Sequence, residues 1–248
     1  MAGDGTPSIE FENAPVSVQD YQGGRGLLTI QGPTGLFINP TSGTMPAHAF
    51  TLQYCFWTDN DEFFRGLQQG VMGSYGVTDW LEVGGLFTDL NVPSPGHNLE
   101  SGGPFARVRL LKDEGWLPEL SIGGYSHLGD EDISDYDCFL ALYKGLVLDR
   151  NGFFRSVGFD AGIRETWAGP EFPTKQPVGY FGIEFQMPYH IYLMGEISTE
   201  DANQGNAIPY AFGVQFREGI INCTVAFDNQ GNSNQPSFYF GIGPQYKF

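Results

Sequence analysis

The chain lacks any apolar run near the roughly 18–20 residues that a membrane-spanning helix needs. It is also poor in basic residues: 12 Lys and Arg stand against 29 Asp and Glu, for a formal net charge of −17. A balance this acidic excludes nucleic acid as a partner and disfavours attraction to an anionic membrane surface. Ala-rich and Lys/Glu-rich helical stretches are missing. Cys55, Cys138 and Cys223 are widely spaced, odd in number and without a C-x-x-C pair, so they support neither a disulfide framework nor a zinc site. They read as buried or lipid-facing small residues. No G-x-S-x-G or H-E-x-x-H motif occurs. The start, Met1-Ala2-Gly3-Asp4-Gly5, carries no basic or apolar signal region. That is expected of a chain whose signal peptide is removed or whose start is replaced.

What is present is glycine, 35 residues, and aromatic side chains at 15% of the 248 residues. With the shortage of helix formers this describes an all-β protein. From Ala47 onward, period-2 segments alternate with turn signals. The strands are expected at 48–58, 68–77, 80–89, 104–112, 117–127, 137–148, 153–166, 178–187, 189–198, 208–217, 219–228 and 237–248. Each is long enough to cross a bilayer at a tilt, which takes about 9–11 residues. Connections after even-numbered strands are short (Thr78-Asp79, Lys112–Gly115, Asp149–Gly152, Pro188, Glu218-Gly219). Those after odd-numbered strands, such as Leu90–Gly103 and Trp167–Pro177, are longer and polar. This sorting predicts a closed antiparallel up-and-down transmembrane β-barrel of about twelve strands in a bacterial outer membrane. Short turns would face the periplasm and longer loops the exterior.

The faces of the strands separate as a membrane barrel requires. Ile208, Tyr210, Phe212, Val214 and Phe216 alternate with Pro209, Ala211, Gly213, Gln215 and Arg217. In a soluble barrel the bulky set would crowd the interior and leave glycines outside. Inverted, it faces lipid, while Gly, Ser and charges face a narrow lumen. The last strand sets Phe238, Phe240, Ile242, Pro244, Tyr246 and Phe248 on one face. Ile242, Tyr246 and the terminal Phe248 have the form of a signal for the barrel-insertion machinery. Trp57, Trp80, Trp116 and Trp167 fall at strand ends, where interfacial girdles lie.

On this pattern the lumen is lined by Glu82, Arg107, Arg109, Glu119, Lys144, Asp160, Arg164, Glu184, Glu196 and Arg217. Two readings stand open. The charges pair into a core that fills a small barrel, since unpaired buried charges are costly, or they line an ion-conducting passage. The acidic run Asp130–Asp137 suits a hard cation held by Asp130, Asp132 and Asp135, or is simply a solvated loop. Ser126-His127 and His190 are expected a bilayer apart, so no catalytic residue, no enzyme and no cofactor is expected; a lipid-modifying enzyme is the least favoured reading. Asn222-Cys223-Thr224 matches a glycosylation sequon but lies mid-strand. Residues 1–46 differ from the barrel of 47–248: Gly26–Ile30 and Gly35–Pro40 are apolar but too short to span. This segment is either a periplasmic leader or a lumen plug. The plug is motivated by the sixth strand, where an inward Lys144 would carry Leu140, Leu142 and Leu146 inward with it.

Gly32-Pro33-Thr34-Gly35-Leu36-Phe37-Ile38-Asn39-Pro40-Thr41, followed by Gly43-Thr44-Met45-Pro46, resembles the opening of YjbH-like outer-membrane proteins. Gly76–Gly84 resembles the first periplasmic hairpin of that group, and Pro209–Val214 a late strand. The resemblance implies an outer-membrane barrel linked to exopolysaccharide production, with no catalytic residues. This chain is much shorter than full-length members, and on the resemblance it would correspond to one barrel without accessory domains. Two functions are therefore expected in order: a narrow or plugged channel, then a non-conducting structural or assembly component of an envelope or exopolysaccharide complex. The partners expected are outer-membrane lipid, the insertion machinery and other envelope proteins.

Overall fold

The structure is a computed structural model. It describes residues 28–29, 33, 35–59, 66–91, 98–129, 134–149, 151–168, 177–199, 208–218, 221–229 and 236–247. The strands are β1 (Ala49–Asp59), β2 (Gly66–Thr78), β3 (Leu81–Asn91), β4 (Asn98–Leu111), β5 (Glu119–Gly129), β6 (Ser134–Val147), β7 (Ser156–Ala168), β8 (Pro177–Met187), β9 (Ile191–Ser198), β10 (Tyr210–Glu218), β11 (Ile221–Asn229) and β12 (Ser237–Lys247). Each pairs antiparallel with its neighbours in sequence, and β1 closes on β12 from Ala49↔Lys247 to Trp57↔Tyr239. Closure removes the sheet edge that a bilayer could not satisfy.

Register follows from the two faces. Leu52, Tyr54, Val71, Phe87, Phe181 and Phe212 are exposed on the outside. Their alternates Thr51, Gln53, Met72, Glu82, Tyr180 and Ala211 are buried inside. A one-residue slip of any strand would send a residue such as Glu82 or Arg107 into lipid and a Phe into the charged interior, which holds the pairing in place. Outward aromatic pairs across strands, such as Phe212–Phe227 at 5.7 Å and Phe56–Phe240 at 5.3 Å, add about 0.2–1 kcal/mol each.

Three expectations change. The connections are less strictly sorted than the sequence suggests, because β4–β5 runs over 112–118 and β6–β7 over 148–155, both longer than the 130–133 that joins β5 to β6. Local hydrogen bonds shape the β6–β7 turn: Asn151 N donates to Asp149 Oδ1 (3.0 Å) and Gly152 N to Asp149 O (3.1 Å), while at its base Leu148 N donates to Arg155 O (2.9 Å). β4 starts at Asn98, inside what reads as loop, because Gly102 and Gly103 are tolerated where they pair with Phe87 and Leu86. Trp57 does not join an outer girdle. It shares the inward face of β1 with Gln53 and Cys55, is only 5% exposed and lies 6.2 Å from the Tyr239 ring. Trp80 and Trp116, at the end of the barrel with the short turns, do stand outside.

Candidate functional site in the lumen

The described part of the N-terminal segment lies inside the barrel, touching strands on opposite sides of the wall. It enters at the turn end. Met45 N donates to Glu82 Oε2 (2.9 Å) on β3, and Thr44 Oγ1 donates to the Asp79 carbonyl (2.9 Å). Gly76 permits that entry, since a Cβ there would lie 1.9 Å from the Pro46 carbonyl oxygen. The segment then reverses into β1 at His48, whose φ of 60° makes the turn. Further along, the Ser42 hydroxyl donates to Glu119 Oε1 (3.1 Å) on β5, and Arg107 on β4 donates to the Thr41 carbonyl (2.6 Å). From the far wall, the Tyr180 hydroxyl donates to Pro40 O (2.8 Å) and Gln215 Nε2 to Leu36 O (3.2 Å). Gln53 on β1 accepts from Leu28 N (3.1 Å).

The tightest point is Glu196 on β9. One carboxylate oxygen accepts from the backbone N–H groups of Phe37 (2.9 Å) and Ile38 (2.5 Å). The other accepts from the N–H (3.1 Å) and the side-chain amide (2.9 Å) of Asn39. Leu36 N donates to Asn39 O (3.1 Å), which closes this short loop and turns its three following N–H groups one way. Among the described residues every donor to Glu196 is an N–H group and both its oxygens accept, the arrangement of a carboxylate in a backbone nest. Beside it Gly182 leaves room for Leu36: a Cβ there would stand 2.2 Å from Leu36 Cδ1. Leu28, Leu36, Phe37 and Ile38 are buried and join the interior side chains Met72, Tyr125, Phe139 and Tyr239 in one apolar cluster.

The remaining wall is charged and mostly paired. Arg107 and Glu82, both inaccessible to solvent, form an ion pair, and Ser74 Oγ also donates to Glu82 (2.7 Å). Arg109 pairs with Glu119 at 3.4 Å, Arg164 with Asp137 at 3.6 Å and Arg217 with Glu184 at 3.2 Å. Arg217 also lies over the Tyr192 ring at 4.0 Å, and Tyr143 OH donates to Glu184 (3.1 Å). Asp160 is buried on the inner face of β7, and neither of its oxygens has a hydrogen-bond partner among the described residues.

Nine of the ten expected lumen residues are thus on the inner wall. Lys144 is the correction. Its strand parity places it with the exposed Leu142 and Leu146, and its ammonium pairs with Asp113 and donates to Gly115 O (2.6 Å) at the turn end. The odd-numbered residues of β6, from Asp137 to Tyr143, face inward instead. The argument from inward leucines therefore fails, although the segment is inside; polar wall groups and the apolar cluster hold it. Gln53, Asp137, Tyr180 and Gln215 carry contacts that the expected site residues omitted. Asp137 was legible from the alternation Asp137, Phe139, Ala141 once Lys144 was set aside.

Of the proposed cation ligands, Asp130 and Asp132 lie outside the described residues, as does Phe248. Asp135 is described, and it faces His127, with Nδ1–Oδ1 at 2.8 Å. Ser126 has the opposite parity, and His190 sits in the β8–β9 turn, so no nucleophile, base and acid meet here. Ile242 and Tyr246 stand on the outer face of β12.

No protein-family model and no curated protein matches the sequence. Solved structures do. The chain is similar to the KdgM porin (TM-score 0.58, 12% identity, 80% of this chain and 99% of that one). It is similar to the NanC porin (TM-score 0.54, 12% identity, 80% and 100%) and to the outer membrane protein Omp33 of Acinetobacter baumannii (TM-score 0.52, 8% identity, 81% and 97%).

The fold is that of the outer-membrane porins.

This likeness and the apolar outer face agree on a barrel whose solvent is lipid on the outside. What the porin barrels and this one share is the wall. The contents of the lumen are read from this chain's own residues.

Proposed function

We propose that the protein works in the outer membrane as a narrow channel favouring cations, with its lumen closed by its own N-terminal segment. The observation that carries this reading is the Glu196 nest, which fastens Phe37, Ile38 and Asn39 across the lumen to β9. Selectivity follows from the wall. Arg107, Arg109, Arg164 and Arg217 are matched by Glu82, Glu119, Asp137 and Glu184, which leaves Asp160, Glu196 and Asp228 as additional buried carboxylates among the described residues. Inside low-dielectric walls such an excess attracts cations and repels anions. A KdgM structure similar to this one is described in complex with oligogalacturonate, a polyanion. The acidic wall argues against carrying that ligand over.

Planar-bilayer recording tests the channel. The full chain should give rare, small openings, and a chain without residues 1–46 larger and longer ones with cation preference. Heat-modifiable gel migration checks that the shortened chain still forms its barrel. A folded, shortened barrel that stays silent at every voltage would refute the reading. That outcome would favour the second proposal, a non-conducting structural component of an envelope or exopolysaccharide assembly as the resemblance to YjbH-like proteins implies. The filled lumen is the observation that supports it.

A further inference from the structure

We propose that His127, Asp135 and Asp137 form a binding site for a divalent transition-metal ion on the inner wall near the loop end of β5 and β6. The proposal is independent of whether the barrel conducts.

Two consecutive inward cross-strand pairs build the site. His127 lies opposite Asp135, and Tyr125 lies opposite Asp137. Residues two apart on a strand share a face, so all four side chains converge on one patch. One ligand atom from each of His127, Asp135 and Asp137 lies within 4.8 Å of the others. His127 Nδ1 and Asp135 Oδ1 are already 2.8 Å apart. An ion bound at about 2.0–2.2 Å holds its ligand atoms about 3–3.5 Å from one another. The cluster therefore needs a contraction of at most about 1.3–1.8 Å between Asp137 and the other two ligands, and almost none between His127 and Asp135.

A second, separate feature points to a ligand. Tyr125 is buried, its ring lies tilted beside that of His127 (centroids 5.3 Å apart, 51° between planes), and its hydroxyl makes no hydrogen bond of good geometry among the described residues although the Arg164 guanidinium is beside it. Tyr125 stands opposite Asp137 and two residues from His127, on the inward face that carries the patch. Asp137 is held in place by the Thr166 hydroxyl at 2.5 Å and by Arg164 at 3.6 Å. Asp137 so held loses little side-chain freedom on binding, and the contraction falls to His127 and Asp135.

The donor set selects the ion. Imidazole nitrogen with carboxylate oxygens suits Zn²⁺, Mn²⁺, Fe²⁺ or Ni²⁺, whereas Ca²⁺ and Mg²⁺ prefer all-oxygen shells. A metal ion takes the neutral imidazole, so affinity falls as pH drops.

The test is Zn²⁺ binding to the full chain in detergent, read by competition with a chromophoric chelator. We expect a saturable site that His127→Ala weakens at least tenfold and Asp135→Asn by a similar factor. His190→Ala, at the far end of the barrel, should leave it unchanged. Cu²⁺ bound to the same protein should show nitrogen coupling in its electron paramagnetic resonance spectrum, absent in His127→Ala. Equal Zn²⁺ affinity in wild type and folded His127→Ala, or no saturable Zn²⁺ binding at all, overturns the site. Zinc binding by a barrel that never opens would leave this inference standing and remove only the channel.

Discussion

Replacing Glu196 by Gln probes the fastening of the segment without changing the size of the side chain. Glu196 accepts four N–H donors from Phe37, Ile38 and Asn39. A hydrogen bond to a charged group is worth about 1.5–3 kcal/mol net, and the bonds of one carboxylate do not add independently. Glutamine keeps a single acceptor oxygen and turns an NH₂ toward donors that then face a donor. The segment should lose about 3–4 kcal/mol of docking free energy, less than four full bonds because the remaining oxygen still serves one or two of them. At about 1.4 kcal/mol per factor of ten, local opening of residues 37–39 should become roughly 10²–10³ times more frequent. Amide hydrogen exchange of the protein in detergent reads this directly, with Phe37, Ile38 and Asn39 as reporters and the amides of β9 and β10 as the internal reference. Accelerated exchange confined to the segment is the expected result. Exchange at those three amides within about threefold of wild type would refute the argument that Glu196 holds the segment. Equal acceleration in β9 and β10 would show instead that the wall depends on it.

Arg107→Ala leaves Glu82 buried without its cation and removes the donor to the Thr41 carbonyl, so unfolding in urea should cost about 3–5 kcal/mol less than in wild type; a loss under 1 kcal/mol would mean that water replaces the guanidinium. In the β8–β9 turn Tyr189 and His190 both have positive φ, 60° and 55°. His190→Gly should therefore stabilise the barrel by about 1 kcal/mol, seen as a higher unfolding midpoint, and an unchanged midpoint would show that the turn relaxes at no cost.

The barrel was legible in the sequence because a bilayer imposes a period of two on every strand. Phe212, Val214 and Phe216 have to face lipid, and Ala211, Gly213 and Gln215 then have to face inward. Local alternation decides this without knowledge of any distant contact, so strand number and order followed. The same rule misplaced Lys144, because charge suggests the lumen until Asp113 on the neighbouring turn is seen to hold it. It misplaced Trp57 as well, since an aromatic residue at a strand end reads the same whichever way its parity points. The contents of the lumen were beyond the sequence for a plainer reason. Phe37 and Glu196 are separated by 159 positions, and so are Asn39 and Ser198. No local pattern couples residues that far apart. Only closing the sheet brings β9 around to the segment, and a barrel then has to be filled by something: here, by the described residues of the chain's own N-terminal segment, 28–29, 33 and 35–46, seated where Gly76 and Gly182 leave room.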